Sequence, residues 1–153
     1  MSSPRIDPRL AQRAALMQEA YTAGQLVNVL VIRELDAVGV SAQDFSFLGW
    51  IAQLQPVTPG RLVAETGLPA TTIRDSIRRS VARGMLLKKP NPEDGRSYYL
   101  VLSAEGRRLM DRGYPAVIAA YARLEPQLRD PARYLGTVRE LRAALKRVVA
   151  DNG

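Results

Sequence analysis

The stretch LVAETGLPATTIRDSIRRSVARGMLLKKPNPEDGRSYYLVLSAEG, residues 62–106, decides how the rest of the chain is read. Its first half has a helical period and its second half does not. Thr58 caps a short helix that Pro59 opens and Gly67 ends, with Leu62 and Val63 on its inner side. Pro69 opens the next helix, which runs to Arg83 and is closed by Gly84. Beyond Gly84, residues 85–89 read as a strand, 90–96 as a turn-rich loop and 97–102 as a returning strand. Helix, turn, helix and hairpin together are the layout of a winged helix. The turn has the chemistry this motif requires: Gly67 supplies positive φ, and β-branched Ile73, six positions on, locks the second helix to the first. Where a small residue is expected, four positions before the glycine, the chain has Val63.

On the second of these helices, about 100° of rotation per residue puts Ile73, Ile77 and Val81 on one face. The opposite face carries Thr71, Thr72, Asp75, Arg78 and Arg79, with Arg74 at the flank. Hydroxyls at a helix N-terminus followed one turn later by arginines suit base edges and phosphates. Asp75 can accept from a cytosine amine, or it can orient Arg78 and Arg79 from one turn away. In the hairpin loop, Glu93 and Asp94 lack the third ligand of an ion site or the partner base of an acid–base pair. Asp94-Gly95 is therefore read as a turn, and Arg96 at the tip suits a minor groove, whose negative potential attracts arginine. Arg61, Lys88 and Ser97 complete the set of candidate DNA contacts.

Charge supports this placement. The chain of 153 residues has net charge +7, and residues 61–112 alone contribute +5 while residues 1–60 contribute −1. Arg74, Arg78, Arg79, Arg83, Lys88 and Lys89 stand close together with only Asp75 among them. A local basic patch gains affinity for a polyanion by releasing its counterions. Double-stranded DNA is the partner this predicts.

On either side of the winged helix the pattern is helical. Asp7-Pro8 reads as a cap and first position, and Leu10, Met17, Gly24, Val31 and Val38 recur every seven residues, with Ala14, Tyr21 and Leu35 between them. Ser41 caps a second helix with Phe45, Leu48, Ile51, Trp50 and Leu54 facing inward, which Gln55-Pro56 stops. Ser103 caps a fifth helix expected to reach about Leu128, with a kink at Pro115. Asp130-Pro131 starts a sixth, striped by Leu135, Val138, Leu141, Leu145 and Val148. The expected fold is mainly α with a small β-hairpin wing, a single domain over 1–153. Residues 41–102 form its winged helix-turn-helix, and 8–38 and 104–150 form dimerisation helices. These apolar stripes exceed what one small winged helix can bury, and pairing across a two-fold axis resolves that. Such a dimer presents two recognition helices about 34–36 Å apart and reads a palindrome.

Residues 58–106 resemble the winged helix of the MarR (multiple antibiotic resistance regulator) family. The resemblance rests on Gly84 closing the recognition helix, the wing motif Asp94-x-Arg96, and Leu102-Ser103-x-x-Gly106 after the second strand. The flanking helices extend it over nearly the whole chain. It implies a homodimeric transcriptional regulator, commonly a repressor, that a small, often aromatic, ligand releases from DNA. It also implies that Arg96 is the minor-groove arginine, that Asp94 stabilises the wing, and that Thr71 and Thr72 begin the recognition helix. Three positions depart from the family pattern: Asp75 stands where a DNA-facing arginine is common, Ser80 replaces a core leucine, and Ser103 replaces a capping threonine.

Composition excludes much else. Without cysteine or histidine, thiol chemistry, disulfides, Cys/His zinc sites, a Ser-His-Asp triad and imidazole acid–base catalysis are impossible. No cofactor, no metal and no enzymatic activity are expected, and G-x-G-x-x-G and G-x-x-x-x-G-K are absent. No stretch has the length of a membrane span or the apolar run of a signal peptide, so a cytoplasmic protein is expected. Two other readings remain open on these residues: a ligand-binding protein or enzyme that uses the winged helix as a dimer scaffold, and a sequence-independent architectural DNA binder. With no thiol to oxidise, the regulatory input is expected to be a bound small aromatic molecule. Its pocket is placed between the first, second and fifth helices, lined by Tyr21 and Trp50, with Phe47 and Tyr114 behind.

Overall fold

The structure, a computed structural model, describes residues 8–150, with side chains described from residue 11 onward except that of residue 13. The Asp7 cap therefore lies outside the described residues. The elements run α1 Pro8–Ala37, α2 Ala42–Leu54, α3 Pro59–Thr66, α4 Ala70–Ala82, β1 Leu86–Pro90, β2 Tyr98–Leu102, α5 Ala104–Leu124, a 3-10 turn Glu125–Gln127, and α6 Pro131–Ala150. β1 and β2 form an antiparallel hairpin in the register Leu86↔Leu102, Lys88↔Leu100, Pro90↔Tyr98.

The local signals act as read. Ser41 Oγ accepts from the Asp44 amide, Thr58 Oγ1 from Arg61, and Ser103 Oγ from Gly106. Gly67 ends α3 at φ 70°. Gly84 ends α4 at φ 71°, where the Gly84 amide donates to Val81 and the Met85 amide to Ser80. That double closure satisfies the last carbonyls of α4 and turns the chain into the hairpin.

Some boundaries differ from the sequence expectation, each for a physical reason. The hairpin starts one residue late because Met85 is used on both sides: its amide closes α4 and its carbonyl accepts from Ser103 at 3.0 Å. Pro69 sits at the cap of α4 rather than inside its first turn. α5 runs through Pro115 but stops at Leu124, short of Leu128. Glu125 keeps helical dihedrals, but Pro126 has no N–H to donate to the Ala122 carbonyl, so the i→i−4 ladder stops there and a 3-10 turn follows. A short third rung has no signal in the sequence: Val57 and Leu100 exchange amide–carbonyl bonds of 3.2 and 2.8 Å, pinning the α2–α3 link to the wing.

One core joins these parts. Leu35 of α1, Leu48 and Ile51 of α2, Leu62 of α3, Ile73 and Ile77 of α4, Leu86, Leu100 and Leu102 of the hairpin, and Leu109 and Met110 of α5 are all buried together. Ser80 is also buried, its carbonyl taken by Met85. Two long-range ion pairs tie the outer helices to this body: Arg123 of α5 with Glu34 of α1, and Lys146 of α6 with Glu65 of α3 at 2.8 Å. The hydrogen bond from Lys146, and then its charge, hold the Glu65 carboxyl below the usual range.

The outer helices are under-buried within one protomer. α6 has no buried residue. On α1, Leu16, Met17, Tyr21, Leu26, Val27 and Val29 are all exposed, and only its C-terminal end reaches the core through Val31 and Leu35. α1, α5 and α6 enclose an apolar groove of about 780 Å³ lined by Leu26, Val27, Tyr121, Leu124, Leu135 and Val138.

Candidate nucleic-acid interface

α4 divides cleanly into two faces. Ile73, Ile77 and Ser80 are buried, while Thr71, Thr72, Arg74, Asp75, Arg78 and Arg79 are exposed. The buried face docks on α3 and the hairpin, so the polar face must look outward. Asp75 holds Arg78 at 3.0 Å, but it does not hold Arg79, which donates instead to Ser76 at 3.2 Å. The expectation that Asp75 orients both arginines is therefore corrected for Arg79. The Ser76 hydroxyl, also one turn away, is its partner. Arg83 is withdrawn from the basic run as well: it pairs with Asp44, a buried carboxylate in the first turn of α2. That pair clamps the end of α4 to α2, and only the tertiary structure brings the two residues together.

Between α4 and the hairpin lies a groove of about 480 Å³ lined by Arg74, Ile77, Arg78, Val81, Ala82, Lys88 and Tyr98. It joins two helix arginines to Lys88 from the first strand, which the turn at Gly84 brings back beside them. Lys88 Nζ sits 4.5 Å from the centroid of the Tyr98 ring, a cation–π contact that fixes its position. Tyr98 is a member of this groove that the sequence reading left as a strand residue. Lys88 and Tyr98 share a face of the hairpin because Lys88 pairs with Leu100 and Tyr98 stands two residues from Leu100. Arg61 on α3 and Arg96 on the wing are exposed outside the groove.

The wing tip is built by its own side chains. Asp94 Oδ1 accepts the Arg96 amide at 3.0 Å and the Asp94 carbonyl accepts that of Ser97 at 3.0 Å. Asn91 Oδ1 accepts the Glu93 amide, and the Tyr99 hydroxyl reaches Glu93. Asp94 thus shapes the turn through the Arg96 backbone, leaving the guanidinium free to point at a groove. If the wing touches DNA, Arg96→Ala is expected to weaken DNA binding by about 1–3 kcal/mol with an unchanged melt. Equal affinity at physiological salt removes the wing from the interface.

The proposed effector region is partly assembled. α1, α2 and α5 form an open pocket of about 250 Å³ lined by Val31, Phe45, Ser46, Gly49, Trp50, Gln53, Met110, Tyr114 and Val117. Trp50 and Tyr114 are in it, and Tyr114 packs edge-on against Phe45 with centroids 5.4 Å apart. Tyr21 and Phe47 are not. Tyr21 is exposed, about three turns up α1 from Val31, and Phe47 lies on the other side of α2, buried in the core. Phe45, assigned to the core from its spacing, is the aromatic that takes their place. Among the described residues no cluster of acidic side chains is arranged to hold a metal ion, and no helix is long and apolar enough to cross a membrane.

Comparison with known proteins agrees with this architecture. The family model that matches is that of the MarR family, over residues 38–97. A mutant of E. coli MarR complexed with operator DNA has a similar fold, with TM-score 0.72 and 22% identity over 94% of this chain and 99% of that one. CouR from Rhodococcus jostii bound to p-coumaroyl-CoA matches with TM-score 0.65 and 24% identity, over 84% and 87% of the two chains. Bordetella bronchiseptica BpsR, whose DNA binding is regulated by 6-hydroxynicotinic acid, matches with TM-score 0.66 and 23% identity, over 86% and 91%. No curated protein sequence matches this chain.

Proposed function

We propose, from the match of residues 38–97 to the MarR family model and the likeness in fold to E. coli MarR over 87–94% of the chain, that the protein is a sequence-specific transcriptional repressor. It binds a palindromic operator as a cytoplasmic homodimer and is released by a small aromatic ligand. The observation that carries this reading is the groove that gathers Arg74, Arg78 and Lys88 beside an outward face of Thr71, Thr72 and Arg79. Asp75 offsets only part of that charge, and phosphates along a major groove answer the rest. The E. coli relative's complex with operator DNA supports the partner, and the ligands named for CouR and BpsR support the mode of release.

The exposed apolar surface of α1 and α6 supports the dimer. An apolar stripe along a helix belongs against a core, and α1 and α6 acquire one by pairing with a second copy.

A gel shift with palindromic and scrambled duplexes at two salt concentrations tests the reading. Specific binding with a steep salt dependence is expected. Equal affinity for both duplexes makes the protein an architectural binder, and no shift removes DNA altogether. Within the same assay Arg78→Ala and Arg79→Ala separate two roles. Loss of a phosphate contact lowers affinity on all sequences and reduces the salt slope by about 1, whereas loss of a base contact narrows the gap between specific and scrambled DNA. If neither variant changes either quantity, α4 is not the reader.

A further inference from the structure

Resting on the ligand-released reading above, we infer that the α1–α2–α5 pocket takes a small aromatic molecule that is uncharged, and that it discriminates against the corresponding carboxylates. The lining carries the argument. Val31, Phe45, Met110 and Val117 make apolar walls, and Trp50 and Tyr114 add aromatic faces with a polar edge. The hydrogen-bonding groups are the Ser46 hydroxyl, the Gln53 amide, the indole N–H of Trp50 and the Tyr114 hydroxyl. Among the described residues no lysine or arginine lines it.

That lining is unlike the concave surfaces around the winged helix. Arginines or a lysine line the groove beside the recognition helix, the cleft between α3 and α6, and the α5 surface around Glu105. The groove between α1, α5 and α6 also lacks cations, but it is the face assigned to the second copy. In a chain of net charge +7, a cation-free pocket that still offers hydrogen-bonding groups is a selective feature. The pocket opens to solvent beside Ser46, Gln53 and Tyr114, which are exposed. A carboxylate set against its apolar walls gives up part of its hydration and meets no counter-charge, whereas a neutral hydroxyl, amide or carbonyl finds both donors and acceptors. Size narrows the class further. About 250 Å³ falls just below the range of drug-sized sites, roughly 300–1,000 Å³, and fits one ring or two fused rings.

The test uses ring-matched pairs that differ in charge: benzamide against benzoate, and para-hydroxybenzamide against para-hydroxybenzoate. Each is titrated into the full chain by calorimetry, with the fluorescence of Trp50, the single tryptophan, followed in parallel. The amides are expected to bind saturably and at least about ten-fold tighter than their carboxylates. Gln53→Arg places a cation on the exposed side of the pocket and is expected to reverse that order, which a merely structural role for Gln53 would not do. Carboxylates binding as tightly as amides overturn the charge inference and leave the pocket standing as an effector site. An unchanged preference in Gln53→Arg likewise overturns the assignment of selectivity to this lining. If no member of either pair binds saturably, the pocket itself fails as the effector site, and ligand release in the proposed function fails with it.

Discussion

Alanine at Gly106 is expected to destabilise the protein by about 1–3 kcal/mol or more and to lower its melting temperature by several degrees. An added Cβ there would lie 2.2 Å from the Met85 carbonyl oxygen, 3.2 Å from its carbon and 3.3 Å from Leu102 Cδ2. The first two are backbone atoms and cannot rotate aside. The Met85 carbonyl also accepts the Ser103 amide, and the Ser103 hydroxyl in turn donates to the Gly84 carbonyl at 2.6 Å and accepts the Gly106 amide at 3.0 Å. Moving α5 away to make room therefore strains the cap of α5, the end of α4 and the start of the wing together. Gly60→Ala serves as the control, since a Cβ there meets nothing within 4 Å. Thermal melts of the two variants decide the matter: an equal Tm for Gly106→Ala and the unaltered chain shows that this close approach does not hold the wing on α5.

Val138→Glu is expected to split the proposed dimer and to weaken its binding to the proposed operator by about 10²–10⁴-fold, the range that a second linked binding unit contributes. Val138 is 60% exposed in the protomer and lines the apolar groove between α1, α5 and α6. A carboxylate there is harmless to one chain, which leaves it in water, and unfavourable once a second copy covers it without a counter-charge. Light scattering should give a monomer mass while circular dichroism retains the helical signal. Dimers that persist in the Val138→Glu variant put the interface elsewhere. Monomers that bind the palindrome with full affinity show that pairing contributes nothing to recognition.

How much of this was legible in the sequence depended on the range of the forces involved. The helices, their caps and the hairpin were legible because Ser41, Thr58, Ser103, Gly67 and Gly84 act on backbone groups no more than a few residues away. The two faces of α4 were legible because a 3.6-residue period maps directly onto exposure. The apolar pattern of α5 continues past its end, which is set instead by Pro126, a residue without the N–H that the next helical hydrogen bond needs. In the α1–α2–α5 pocket, helical spacing separates Trp50 from the face of Phe47 only once the packing of α2 against α1 and α5 is known.

The sequence by itself determined the class of the molecule. The turn glycines, the change of period after Gly84 and the basic face of α4 are local properties, and the absence of cysteine and histidine needs no geometry at all. What the tertiary structure alone decided were the meetings of residues far apart in the chain. Asp44 captures Arg83 across 39 positions and Lys146 captures Glu65 across 81, while Val57 pairs with Leu100 to add a rung to the wing. Such contacts leave no periodic trace in the sequence. Each depends on the angle at which two helices pack, and that angle is set by the summed shapes of core side chains such as Leu35, Leu48 and Leu109 rather than by the pair that finally meets.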